Sequence, residues 1–390
     1  MKNLFKYVLL FAIFCNFFSG NFLARFGLRD GSREVLYKFV SNEYFNETNK
    51  ELIIIFIVLV LISFFVKFDY GEFNLSKYQG KYKNDSIFLF VTWFFYLLFT
   101  FFVFSQINWD FEYAERGMNQ FDLKNRPTVF RNMVYGFYVP LLLYMYLVGV
   151  FRNKIFYLIL ALAIFALRGV SSGGRANLIT IFILGLLMVN YVRRLNNKTL
   201  LITCILGYVA LSFSSLDRFS GHNSILINNV VKILQSNSNS DFLAVVKYSI
   251  DNGTQMSPQI FGMHIVSVFV PSYIYVNFFN MISYTRGILV YNEMYNTNPN
   301  TGLGFMMLAD FYWSFKYWGY VLYIFTYYFV LKFFKKYIYS PNPVFVVLAL
   351  YVVYKFCNQR GDFGEFFKPI VYLFVFLSFL EFLRSRAKVR

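Results

Sequence analysis

Apolar runs of about 17–25 residues recur along the chain, the length that crosses a hydrocarbon core of roughly 30 Å as a helix. In lipid nothing but the segment itself can satisfy its backbone, so each run must be helical. Ten such spans are read, at 4–24, 51–67, 87–107, 132–150, 155–168, 175–192, 199–216, 304–331, 343–358 and 367–383. The fifth and ninth are short and start in their polar flanks. Inside the long segment 217–303 lies a further apolar stretch, "QIFGMHIVSVFVPSYIYVNFF". Pro271 and its polar neighbours point there to an interfacial or re-entrant element, with an ordinary span at 257–280 as the alternative. With 58% hydrophobic and 15% charged residues, 53 of them Phe and 32 Tyr, no soluble domain accounts for this chain.

The expected fold is therefore an all-α polytopic membrane protein of about ten helices (10–12). Three parts are expected: an N-terminal bundle over 1–216, a long outer loop over 217–303, and C-terminal helices with a basic tail over 304–390. Lys2 and Lys6 ahead of the first run resemble a signal peptide, but no small-x-small cleavage site follows, which favours an uncleaved helix. Cys15, Cys204 and Cys357 all fall in spans, leaving neither a disulfide framework nor a thiolate metal site.

Topology follows from charge. With the N-terminus inside, the inner loops collect Lys2, Lys6, Lys67, Lys77, Lys81, Lys83, Arg152, Lys154, Arg193, Arg194 and Lys198. They also collect Lys332, Lys335, Lys336, Arg384, Arg386, Lys388 and Arg390, against only Asp69, Glu72, Asp85 and Glu381. These cations account for most of the formal charge of +17, as the positive-inside rule expects. The pI of about 9.5 is thus topological and gives no reason to expect a nucleic-acid partner. Both termini fall on the cytoplasmic side and 217–303 falls outside.

Against that rule, Arg168 and Arg175 of "LRGVSSGGRANLITIFILGLL" stand on the outer face. The small residues between them interrupt the helix, because glycine costs about 1 kcal/mol there and serine favours a cap. The next span then opens near Arg175 with its amides and dipole outward, a good place for a phosphate or diphosphate. The alternative is that both side chains snorkel to lipid headgroups. Further along, "LDRFSGHNSILINNVVKIL" holds Asp217, Arg218 and His222, ahead of an amphipathic helix expected from Ser224 onward. His222 can take a proton from a hydroxyl, or merely cap or pack; His264, within an apolar run, ranks below it.

Arg286 and Glu293 precede a loop rich in Asn, Pro and Gly. That loop leads into the eighth span, with Asp310 about two turns inside it. An acid at such depth faces a polar cavity or pairs with an arginine. Gly302, Gly304 and Gly319 suit close helix packing. The last outer loop, "CNQRGDFGEFFK", carries Arg360, Asp362 and Glu365; its RGD tripeptide and DFG-like run lack the context of an adhesion or kinase motif. No phosphate-binding glycine loop, nucleophile elbow or metal-ligand spacing is present, so neither a metal nor a cofactor is expected. The spans show no obvious internal repeat, which counts against an inverted-repeat transporter.

From about residue 130 to 385 the chain resembles the O-antigen polymerases, the Wzy-type oligosaccharide repeat-unit polymerases of bacterial surface polysaccharide pathways. The resemblance rests on the basic small-residue loop "RGVSSGGR" opening a span and on the long outer loop that follows. It rests too on "NTGLGFMMLADFYWSFKYWG" and on "QRGDFG" near the end. Two departures stand out. Asp310 occupies a place where glutamate is commoner, and Lys316–Trp318 replaces the usual Phe-Gly. A described Arg-to-Gly spacing is only approximated by Arg175 and Gly185.

The resemblance implies a GT-C-like glycosyltransferase of the inner membrane with its active site facing the periplasm. Donor and acceptor would both be glycans on undecaprenyl diphosphate, with a chain-length regulator and a flippase as pathway partners. Such chemistry needs cations where the leaving diphosphate develops charge, and a base at the acceptor hydroxyl. Arg168, Arg175 and Arg360 are expected in the first role, with Arg218 and Arg286 in reserve; for the second, His222 comes ahead of Asp310 and Asp217. Two rivals remain. An O-antigen ligase is suggested by "HNSIL", although that pattern lies at the start of the outer segment where ligases carry it near the end. A flippase or transporter of the same glycolipid would not need so large an outer segment.

Overall fold

The computed structural model describes residues 4–25, 40–66, 241–253, 306–338, 342–357 and 363–387, with scattered positions at 93–101, 198, 202, 258–266 and 340. Within them the regular elements are helices: α1 Leu4–Arg25, α2 Asn42–Phe65, α3 Asp241–Asp251, α4 Met307–Phe315, α5 Tyr317–Tyr337, α6 Pro343–Cys357 and α7 Phe363–Ala387. Two segments among the described residues are long and apolar enough to cross a membrane, Asn42–Phe65 and Phe366–Leu383. The amphipathic helix read from Ser224 onward, the spans between 87 and 216 and the apolar stretch at 257–280 lie outside the described residues, apart from isolated positions.

Five long helices form the bundle. α2 packs on α1 and α5, α5 on α6, and α6 on both α1 and α7. Directions follow from side-chain pairs. Lys6 donates to the Ser63 carbonyl and Phe18 meets Phe56, so α1 and α2 are antiparallel. Tyr337 stacks on Phe345 while Tyr323 meets Phe356, which makes α5 and α6 antiparallel as well. Phe345 with Phe374 and Phe356 with Phe366 do the same for α6 and α7. α6 is buried along nearly its whole length, the pattern of a helix surrounded on all sides.

The other long helices of the bundle bury one stripe each, whereas α3 and α4 are buried at nearly every residue. On α5 that stripe is Tyr320, Tyr323, Tyr327, Val330, Leu331 and Phe334, at helical spacing, while Val321, Phe325 and Phe329 are exposed. Ile53, Ile54, Ile57 and Phe64 of α2 and Val375 and Phe379 of α7 are exposed likewise. Apolar exposure repeated on helix after helix is costly in water and natural in lipid.

The eighth span differs from its expected form. In place of one helix over 304–331, α4 ends at Phe315 and α5 begins at Tyr317. The chain turns at Lys316, whose φ of 49° and ψ of −130° fall in glycine's region. α4 then folds back so closely that a β-carbon on Gly319 would stand 2.2 Å from the Phe311 carbonyl oxygen. In a straight helix residues eight apart lie about 12 Å apart. Asp310 therefore sits in a separate short helix before the turn.

α2 also begins earlier than the span at 51, because the polar stretch "NEYFNETNKE" continues the helix, with Glu43 in its first turn favourable to the helix dipole. α3, within the segment 217–303 that is expected outside, packs on α2 and α4. α4 also touches α7, so α3 and α4 together cover the end of the bundle where α2, α5 and α7 begin.

Candidate functional site at the α3–α4 end

Of the residues expected in the site, Asp310 lies within the described structure. His222, Asp217, Arg168, Arg175, Arg218, Arg286 and Arg360 lie outside the described residues.

Asp310 is wholly buried in the first turn of α4. Its Oδ2 accepts a hydrogen bond of 3.1 Å from the backbone N–H of Phe363, the first residue of α7. Helix starts leave such donors without an intrahelical partner, and the helix dipole favours a carboxylate there. Aromatic rings close around the bond. Phe261 stacks on Phe363 at 5.3 Å, and Phe311 meets both Phe261 and Phe363, at 5.6 and 5.4 Å. The segment "NTGLGFMMLADFYWSFKYWG" is thereby joined to the helix that "QRGDFG" opens.

A second constellation was not anticipated. Lys247 on α3 is buried, with 4% of its side chain exposed. Its Nζ donates to Glu51 Oε1 at 2.9 Å and to Glu47 Oε2 at 3.3 Å. Glu51 Oε2 also accepts from the Tyr320 hydroxyl at 2.5 Å, so one carboxylate ties α2 to both α3 and α5. Such burial is tolerable because the ammonium is paired and hydrogen-bonded. Two signals for it exist in the sequence. Glu47 and Glu51 are four residues apart, on one face of a helix, and Lys247 is a lone cation within the apolar "FLAVVKY".

Beside this network Tyr312 stacks on Tyr320 with ring centroids 5.2 Å apart, and Tyr317 meets both edge-on at 5.8 and 6.0 Å. Tyr44 and Tyr248 make a further edge-to-face pair at 5.4 Å. Tyr317 and Trp318 are exposed. Rings at such a boundary suit a headgroup region, and equally the face of a sugar.

The opposite end of the bundle is simpler. Lys6 is buried and donates to the Ser63 carbonyl, while Ser63 Oγ shares a short hydrogen bond with the Tyr327 hydroxyl. Among the described residues no group of three His, Cys, Asp or Glu side chains could hold a metal ion. Polar side chains from α2, α3 and α5 thus meet at the α3–α4 end, with Asp310 of α4 bonded to α7 beside them.

No family model, curated protein or solved structure matches the chain. Its functional reading therefore stands on its motifs and on the geometry above.

Proposed function

We propose that this chain is a membrane-embedded glycosyltransferase that polymerises undecaprenyl-diphosphate-linked oligosaccharide repeat units at the periplasmic face of the inner membrane. The observation that carries this reading is the hydrogen bond between Asp310 and Phe363, which unites the two C-terminal segments that resemble O-antigen polymerases. The united end is the one that the charge distribution assigns to the outside, and an acid-rich, aromatic-rich surface there suits glycan hydroxyls and ring faces.

In the proposed reaction a hydroxyl at the acceptor's non-reducing end gives up its proton and attacks the donor's anomeric carbon. The bond from that carbon to the diphosphate oxygen breaks, and lipid diphosphate leaves with the electron pair. Arg168, Arg175 and Arg360 are proposed to hold the leaving diphosphate, with Arg218 and Arg286 in support, because negative charge grows there in the transition state. His222, with Asp217 as its alternative, is proposed to take the proton.

The test uses purified protein in nanodiscs with a synthetic undecaprenyl-diphosphate repeat unit, without metal or nucleotide sugar, read as a glycan ladder. Wild type is expected to give a ladder, and Arg175→Ala to slow it by about 10²–10³-fold, the usual effect of removing one donor to a developing anion. Transfer only to an added lipid A core would make the chain a ligase. Translocation of a labelled glycolipid without any new glycosidic bond would make it a transporter.

A further inference from the structure

The burial of Asp310 is total, yet in the sequence it stands among acids suited to proton transfer. A general base must come within hydrogen-bond reach of the proton it takes, so its carboxylate has to face the acceptor. Here one carboxylate oxygen faces a backbone donor of α7 instead, inside a shell that includes Phe261, Phe311 and Phe363. The connecting helix is itself fixed. α4 is turned back by Lys316 and pressed against Gly319, so Asp310 has little freedom to swing outward.

We propose that Asp310 is a positioning residue, an acceptor supplied from another helix that caps the start of α7 and fixes it against α4. The first residue of α7 follows Arg360 by three positions in the sequence, so this bond sets where the segment carrying that cation joins the bundle. The link to activity rests on the polymerase reading; the structural role does not.

The two roles part at one substitution. Asp310→Asn keeps a carbonyl oxygen able to accept from the Phe363 N–H but cannot take up a proton. Asp310→Ala removes the acceptor as well. Full-length protein in nanodiscs would be followed by amide hydrogen exchange over the first two turns of α7 and by the rate of ladder formation. The Asn variant is expected to keep α7 protected and to polymerise within about threefold of wild type, because a neutral amide oxygen still caps. The Ala variant is expected to exchange at α7 at least about tenfold faster and to polymerise correspondingly slowly, since an orphaned buried donor destabilises that turn.

An Asn variant with protected α7 amides but no ladder would overturn the proposal and return Asp310 to proton transfer. Unchanged α7 protection in the Ala variant would overturn it too. Should Ala fail to fold, the Asn variant alone decides. If wild type itself gave no ladder, the polymerase reading would fall, while the exchange data would still judge the cap.

Discussion

Lys247 concentrates the electrostatics of the described structure in one side chain. It is buried against a partly buried Glu51 and an exposed Glu47, and these partners are unequal. The shorter bond goes to the more buried carboxylate, where water screens least, so Glu51 supplies most of the pairing. Lys247→Ala should leave a partly exposed Glu51 without its cation, a loss of about 2 kcal/mol, less than for a pair buried on both sides. Glu47→Gln should cost under about 1 kcal/mol, as for exposed pairs. Thermal unfolding of the detergent-solubilised protein separates the two: a large drop in midpoint for Lys247→Ala and almost none for Glu47→Gln. Equal drops would mean that Glu47 is the principal partner. This network was only half legible in the sequence. The pairing of Glu47 with Glu51 is visible as a four-residue spacing, but nothing local says that a lysine some two hundred residues away closes it. The arginines expected on the outer face were the more conspicuous cations in the sequence, whereas the cations that the described structure buries are two lysines, Lys6 and Lys247, in apolar helices.

The turn between α4 and α5 explains why the eighth span was misread. Hydropathy sees one continuous apolar stretch and is blind to a change of direction at a single residue. Lysine at 316 gave no warning, since glycine is the residue that ordinarily marks such a φ. The other helices were legible because their signal is local: α1, α6 and α7 lie within a few residues of spans set by apolar length alone. α3 and the early start of α2 were not, because their buried faces are defined by each other. Two substitutions probe the turn from opposite sides. Lys316→Gly should stabilise by about 1 kcal/mol, the relief of a left-handed residue less the entropy glycine adds to the unfolded chain. Gly319→Ala should destabilise by about 3 kcal/mol, because its β-carbon would fall within 2.2 Å of a backbone carbonyl oxygen, which has no rotamer through which to move aside. Midpoints that rise for the first and fall for the second support the turn. A neutral Gly319→Ala would mean that α4 does not fold back on α5.

At the scale of the whole molecule the helix directions constrain the membrane topology. α2 and α5 run the same way, since Glu51 pairs with Tyr320 near their starts and Ser63 with Tyr327 further along both. If α5 crosses the membrane beside α2, as the ten-span expectation has it, two parallel helices need an odd number of crossings in the chain between them. The five spans read between 87 and 216 meet that condition, whereas a sixth at 257–280 would bring α5 in from the wrong side. On the expected count of ten spans, the interfacial or re-entrant alternative for that stretch is the one that keeps α2 and α5 parallel. Lys335 and Lys336 end α5, where the helix C-terminus favours cations and where the expected topology has the inner face. The expectation can be checked by single cysteines placed at Glu43, Lys316 and Lys336, all exposed, in a cysteine-free background. A membrane-impermeant thiol reagent applied to spheroplasts should label the positions at Glu43 and Lys316, and should reach Lys336 only after permeabilisation. Labelling of Glu43 and Lys336 from outside with Lys316 protected would mean an even number of crossings. The parallel arrangement of α2 and α5, and with it the expected five-span count, would then have to be abandoned.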